Sequence, residues 1–175
     1  KNYMFSVIFP GQGSQRIGMA KDFYDKFEIV KSLFKDADSI LELPISKIIF
    51  EGPNEQLNLT ENTQPAIFLV SYSICEVIKN ESSFNLNEAK FFAGHSLGEY
   101  SALSAANYLN FSDTIKLLKV RGEAMQNAVP KGEGGMLAVL GSTIEILEKI
   151  ITENKNSFIV QIANDNSEGQ IVLSG

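Results

Sequence analysis

The pentapeptide Gly94-His95-Ser96-Leu97-Gly98 constrains this chain more than any other stretch. It follows the apolar run Lys90-Phe91-Phe92-Ala93 and precedes a helix-like segment from Glu99 to Ala106. Strand, G-x-S-x-G and helix, in that order, make a nucleophile elbow. Both glycines are needed because so tight a turn has no space for a Cβ on either side of the serine. The turn lifts the hydroxyl out of a sheet and sets it at a helix start. There, free backbone N–H groups and the helix dipole favour a negative oxygen. Such a chain must build a sheet to hold the turn, and Ser96 is the candidate nucleophile.

The flanking sequence supplies that sheet. Tyr3 to Phe9 reads as a buried first strand, ending at Pro10 and the loop Gly11-Gln12-Gly13-Ser14-Gln15. Met19 to Ala37 is helical in pattern, and short pieces fill Ile40 to Leu59 around Pro44 and Gly52-Pro53. A helix from Pro65 to Lys79 opens on proline, and another from Asp113 to Val129 has Ser112 as its N-cap. Strands alternating with helices predict an α/β domain with a largely parallel sheet over residues 1–130.

The character changes at Pro130-Lys131-Gly132-Glu133-Gly134-Gly135, which reads as a linker. Residues 131–175 then read as a strand at Met136–Leu140 and a helix at Ile144–Glu153 with a Ser142/Glu145 capping box. A strand at Phe158–Ala163, a turn at Asn164–Gly169 and a strand at Gln170–Ser174 follow. That β-α-β-β order is the first part of a ferredoxin-like subdomain. A small sheet lacking its second helix exposes apolar surface. Residue 175 is therefore not expected to be the natural C-terminus, nor is Lys1, with no initiator methionine, expected to be the natural N-terminus.

Composition excludes several classes. The net charge of −6, with no basic stripe, argues against nucleic acid as a bulk partner. No stretch approaches the length of a membrane span, and the hydrophobic content of 44% is that of an ordinary globular chain. The single cysteine, Cys75, allows no disulfide framework, and with a single histidine beside it a Cys/His zinc site is excluded. A reducing cytoplasmic or organelle-matrix setting fits that usage.

Gly11-Gln12-Gly13 fails as a phosphate loop. A Walker sequence needs a Gly-Lys-Ser/Thr ending, and the dinucleotide fingerprint needs a third glycine where Arg16 stands. The loop is either a tight turn or the source of an oxyanion donor. Elbow enzymes draw one N–H from the residue after the nucleophile, here Leu97, and another from a separate strand-end loop, here at Gln12. Arg121 borders the apolar stripe Ile115, Leu118, Gly122, Met125 and Val129. It either snorkels to water or, if buried, demands a carboxylate, which a carboxylated substrate could bring. His95 is a poor base for Ser96 because neighbouring side chains at a sharp elbow diverge, and no histidine follows Ser96. Asp113, Glu123, Glu133 and Glu145 read as caps or solvated faces.

Four segments together resemble one family. Phe9-Pro10-Gly11-Gln12-Gly13-Ser14-Gln15, Thr63-Gln64-Pro65-Ala66, Gly94-His95-Ser96-Leu97-Gly98-Glu99, and Val120-Arg121-Gly122 through Met125-Gln126 are similar to segments of malonyl-CoA:acyl-carrier-protein transacylases. The resemblance implies an α/β-hydrolase-like large domain with an inserted ferredoxin-like small domain. It implies that Ser96 carries the acyl group, that the amides of Gln12 and Leu97 form the oxyanion hole, and that Arg121 binds the malonyl carboxylate. Asn164 and Asn166 match a family segment near the active site. The family's catalytic histidine would lie roughly thirty residues beyond Gly175, with an orienting glutamine further on. The 175 residues hold neither, which bears on turnover by the chain as it stands.

The implied partners are malonyl-CoA and acyl carrier protein, in fatty acid biosynthesis. No metal or cofactor is expected, since CoA and phosphopantetheine arrive with the substrates, and the expected state is a monomer. Because both proteins are acidic, carrier docking would need a local basic patch, for which Lys116, Lys119 and Lys131 are the candidates. Two other readings share these residues. A serine esterase would use the elbow without Arg121, and a non-catalytic acyl- or carrier-binding domain would need no base.

Overall fold

The computed structural model describes residues 4–129 and 132–175. Tyr3, Pro130 and Lys131 lie outside the described residues. The chain forms two compact units, Lys1–Asn127 and Ala128–Gly175.

In the first unit, strand β1 (Ser6–Phe9) pairs in parallel with β2 (Phe91–Gly94), Phe9 lying opposite Gly94. Between them in sequence run α1 (Lys21–Lys26), α2 (Glu28–Leu41), α3 (Ile45–Glu51), α4 (Asn54–Leu57) and α5 (Thr60–Glu81). After β2 come α6 (Gly98–Ala105) and α7 (Phe111–Asn127). The helices between the strands supply the long crossover that parallel pairing requires. Phe34, Ile45, Ile49, Phe68, Ile115 and Leu118 form the centre of the core, with Phe34 stacked on Phe50 at 5.1 Å between ring centres. Truncating a buried phenylalanine such as Phe34 or Phe68 to alanine costs about 3–5 kcal/mol.

Several element ends differ from those the sequence predicts. The helix expected over Met19–Ala37 is two helices, because Phe27 is extended (φ −118°, ψ 122°) and serves as the end of α1 and the cap of α2. Pro65 does not open its helix; α5 begins at Thr60 and Pro65 lies inside it. The turn ahead of Pro65 is polar yet buried, and hydrogen bonds hold it. Asn62 Nδ2 donates to the Gln56 carbonyl at 2.9 Å, and Thr63 Oγ1 donates to the Leu57 carbonyl at 2.5 Å. Asn110 takes the place expected of Ser112: its Oδ1 accepts from the Asp113 N–H at 2.8 Å.

In the second unit, β3 (Met136–Leu140), α8 (Ile144–Glu153), β4 (Gln161–Ser167) and β5 (Gln170–Ser174) form a three-stranded antiparallel sheet with one helix. The strand order is β3-β5-β4. Thr143, one residue past the expected Ser142, caps α8 by accepting from the Ile146 N–H at 3.5 Å. β4 runs through most of the expected Asn164–Gly169 turn, leaving Glu168-Gly169 to connect Ser167 with Gln170. Gly169 at φ 76° makes that two-residue connection possible. Two register shifts interrupt the pairing of β4 with β5, between Ile162 and Asn164 and between Asp165 and Ser167, in a stretch of poor strand propensity.

Candidate active site

The elbow is locally over-determined. A Cβ on Gly94 would overlap the Gly98 carbonyl group, and one on Gly98 would sit 2.6 Å from the Phe9 carbonyl oxygen and 2.8 Å from that of Pro10. Only glycine fits at either position. Ser96 between them has φ 53°, in the left-handed region that non-glycine residues avoid. Backbone strain of this kind persists only where its surroundings impose it. The His95 N–H donates to the Phe9 carbonyl at 3.2 Å and the Gly98 N–H to the His95 carbonyl at 2.9 Å, which anchors the turn on the end of β1.

The loop after β1 lies against the elbow. A Cβ on Gly11 would come within 2.6 Å of His95 Nδ1 and 2.8 Å of the His95 carbonyl. Glycine at 11 thus lets the loop close onto His95 and seats its imidazole there. The Gln12 side chain is turned to Thr60, Nε2 donating to Oγ1 at 3.3 Å. Leu97 is buried at the head of α6, where the next three backbone N–H groups, those of Gly98, Glu99 and Tyr100, donate to the His95, Ser96 and Leu97 carbonyls.

Arg121 reaches this centre from α7. Its Nη2 donates to Ser96 Oγ at 3.1 Å and its Nη1 to Gln64 Oε1 at 2.6 Å. Its guanidinium carbon lies 5.6 Å from the centre of the Tyr100 ring. Among the described residues no carboxylate is ion-paired with it. The neighbouring Lys119, by contrast, is shared between Glu61 and Glu123, both at 3.6 Å. Gly122 sets the reach of Arg121: a Cβ there would sit 2.5 Å from Glu61 Cα and 2.7 Å from the Thr60 carbonyl oxygen, so α7 crosses α5 in backbone contact.

Sequence reasoning leaves Gln64, Met125 as a hydrogen-bonding group, and Tyr100 without roles here. Gln64 is fully buried on α5 and spans from Arg121 to Met125, its Nε2 donating to Sδ at 3.2 Å. The available signal is a glutamine at the head of an apolar helix, since a buried amide demands partners. Asn164 and Asn166 lie on β4 of the second unit. Lys116 is exposed on α7, and Lys131 lies outside the described residues.

Two other features are not part of this centre. A cavity of about 600 Å³ opens beside β1, lined by Phe9, Ile67, Ile74 and Cys75 among others, but not by Ser96 or Arg121. Burial pushes the Cys75 thiol up to about 11, so it stays protonated and unreactive at neutral pH. Among the described residues, no group of His, Cys, Asp or Glu is placed to hold a metal ion, and no helix is long and apolar enough to cross a membrane.

Ser96 is thus strained on a glycine-flanked elbow with an arginine on its hydroxyl, and residues 6–175 match the family model for the acyl transferase domain. The chain belongs to the acyl transferase domain family. It is 49% identical over 173 residues to the malonyl CoA-acyl carrier protein transacylase of Bacillus subtilis (strain 168), covering 97% of this chain and 53% of that one. It is 42% identical to the enzyme of the same name from Haemophilus influenzae, covering 98% and 54%. Among solved structures, the acyl-carrier-protein-S-malonyltransferase from Bartonella henselae superposes with a TM-score of 0.92 at 45% identity, covering 98% of this chain and 55% of that one. A complex of a type II PKS acyl-carrier protein with its malonyl-transacylase matches with a TM-score of 0.90 at 37% identity, over 99% and 55%. The chain spans about half the length of the curated relatives it matches. Mixed helices and a parallel strand pair are the features it holds in common with this acyl transferase fold.

Proposed function

We propose that this chain carries the acyl-binding centre of a malonyl transferase, moving malonyl from malonyl-CoA to the phosphopantetheine thiol of acyl carrier protein in fatty acid biosynthesis. The observation that carries the reading is the Arg121 guanidinium 3.1 Å from Ser96 Oγ, with no carboxylate ion-paired to it among the described residues. A cation held beside a nucleophile, with donors to spare, matches a substrate that bears both a thioester and a carboxylate.

In this reading Ser96 Oγ attacks the malonyl thioester carbonyl, the C–S bond to CoA breaks as the tetrahedral intermediate collapses, and the hydroxyl proton ends on the departing CoA thiol. The backbone N–H groups of Leu97 and Gln12 take the oxyanion, an arrangement in which each donor is worth ~10²–10³ in rate. Arg121 leaves Ser96 to pair with the malonyl carboxylate. The carrier's thiol then attacks the malonyl-serine ester and frees Ser96. The family's general-base histidine falls outside these residues, and His95, seated on Gly11, is not given that role. Asn164 and Asn166 are assigned to the lining of the site on the family resemblance alone.

The finer architecture belongs to the same proposal. The parallel pair with its elbow supports an α/β-hydrolase-like unit. A third strand, β5, antiparallel between β3 and β4, supports a ferredoxin-like arrangement for the second. Acyl carrier protein is the proposed acceptor, CoA and phosphopantetheine come with the substrates rather than as cofactors, and the proposed state is a cytoplasmic or organelle-matrix monomer. Lys116 is the described lysine of the α7 pair left without an ion pair for carrier docking.

Intact mass spectrometry after brief incubation with malonyl-CoA tests the centre. A single malonyl adduct, absent in Ser96→Ala, is expected. Fast loss of that adduct to water would favour an esterase. Binding without an adduct in the full natural protein would refute the transferase reading.

A further inference from the structure

Hydrogen-bonding capacity leaves one arrangement for the Gln64 amide. Arginine only donates, so the atom 2.6 Å from Arg121 Nη1 must be the carbonyl oxygen of Gln64. The amide nitrogen then points to Met125 Sδ at 3.2 Å, and a thioether only accepts. Gln64 is fully buried, so bulk water does not replace either partner. The two ends of an amide have nearly the same shape, and what tells them apart here is a donor-only group on one side and an acceptor-only group on the other. Met125 lies four residues after Arg121, on the same face of α7, so one helix presents both.

We infer that Met125 is a positioning residue for the acyl site. Its thioether locks the Gln64 amide with the carbonyl toward Arg121, and that carbonyl aims the guanidinium at the substrate carboxylate beside Ser96. The inference rests on Arg121 being the carboxylate-binding group. Membership of the apolar stripe alone would require bulk and no sulfur, and leucine would then serve equally well.

The test compares Ser96 acylation by malonyl-CoA and by acetyl-CoA in the full natural protein and its variants Met125→Leu, Gln64→Ala, the double variant and Arg121→Ala. Leucine nearly conserves volume at this half-exposed position, so the fold is kept. Met125→Leu should lower the malonyl rate relative to the acetyl rate by about 3- to 10-fold, the scale of one hydrogen bond. Adding it to Gln64→Ala should cost nothing further, because the two act through one contact. Side-chain amide signals of Gln64 in NMR should exchange slowly in the parent and faster in Met125→Leu. An unchanged ratio with unchanged amide signals, or fully additive losses, overturns the role of Met125. If Arg121→Ala meanwhile loses malonyl preference, the underlying reading stands. If Arg121→Ala keeps that preference, both fall.

Discussion

Gly122→Ala probes how the α5/α7 crossing serves the active site. The new Cβ would lie 2.5 Å from Glu61 Cα and 2.7 Å from the Thr60 carbonyl oxygen. Both neighbours are backbone, so no side chain can swing aside. Reaching an ordinary contact of about 3.4 Å requires the helices to part by roughly 0.7 to 0.9 Å. Overpacking of that size costs about 1–3 kcal/mol. For a chain of this length that lowers the melting temperature by roughly 2–10 °C. The same displacement, added to the 3.1 Å from Arg121 Nη2 to Ser96 Oγ, carries the guanidinium out of hydrogen-bond reach. Misplacing a positioning group by 1 Å can cost ~10²-fold in rate. Malonyl transfer should therefore fall by one to two orders of magnitude, and acetyl transfer, which needs no carboxylate site, by much less. Chemical denaturation and the rates of Ser96 acylation by the two thioesters give the readouts. A Gly122→Ala protein with parent stability and an unchanged malonyl-to-acetyl ratio would refute the claim that this crossing positions Arg121.

Other perturbations have equally definite outcomes. Arg121→Ala should weaken selection of a carboxylated acyl group by about 2–5 kcal/mol and shift preference toward acetyl, read from competing thioesters in one incubation. Gly94→Ala should abolish folding of the first unit, since its Cβ overlaps backbone of Gly98, and circular dichroism of the expressed protein checks this. Cys75 should resist alkylation at pH 7 in the native state and react once the chain is denatured, because burial holds its thiol up to about 11. The folded value lies above the ordinary 9.0, so the stability contributed by the neutral thiol is complete below that pH and is lost as pH rises through about 11. A pH titration comparing the parent with Cys75→Ala should show the difference between them change only in that window.

How much could be read in advance depends on how locally each feature is determined. The elbow is a matter of five consecutive residues, and steric exclusion of Cβ acts within them, so Gly94, Ser96 and Gly98 announce it directly. Helix ends are less locally determined. Asn110 rather than Ser112 caps α7, and Thr143 rather than Ser142 caps α8. The residue that caps is the one whose backbone is extended where the helix starts, and adjacent polar residues look alike in a sequence. Pro65 misleads for a related reason, because the polar turn ahead of it is made helical by hydrogen bonds to the α4 segment.

That Ser96 stands on a strained turn between a strand and a helix is legible in its neighbours alone, because that geometry is enforced within a few residues. What the serine faces depends on contacts distant in the chain. Ser96 is 25 residues from Arg121 along the chain, and Gln64 is 57 residues from it. Nothing local ties those distances together. They close because glycine at 122 lets two helix backbones touch, and because a buried amide must find a donor for its oxygen and an acceptor for its nitrogen.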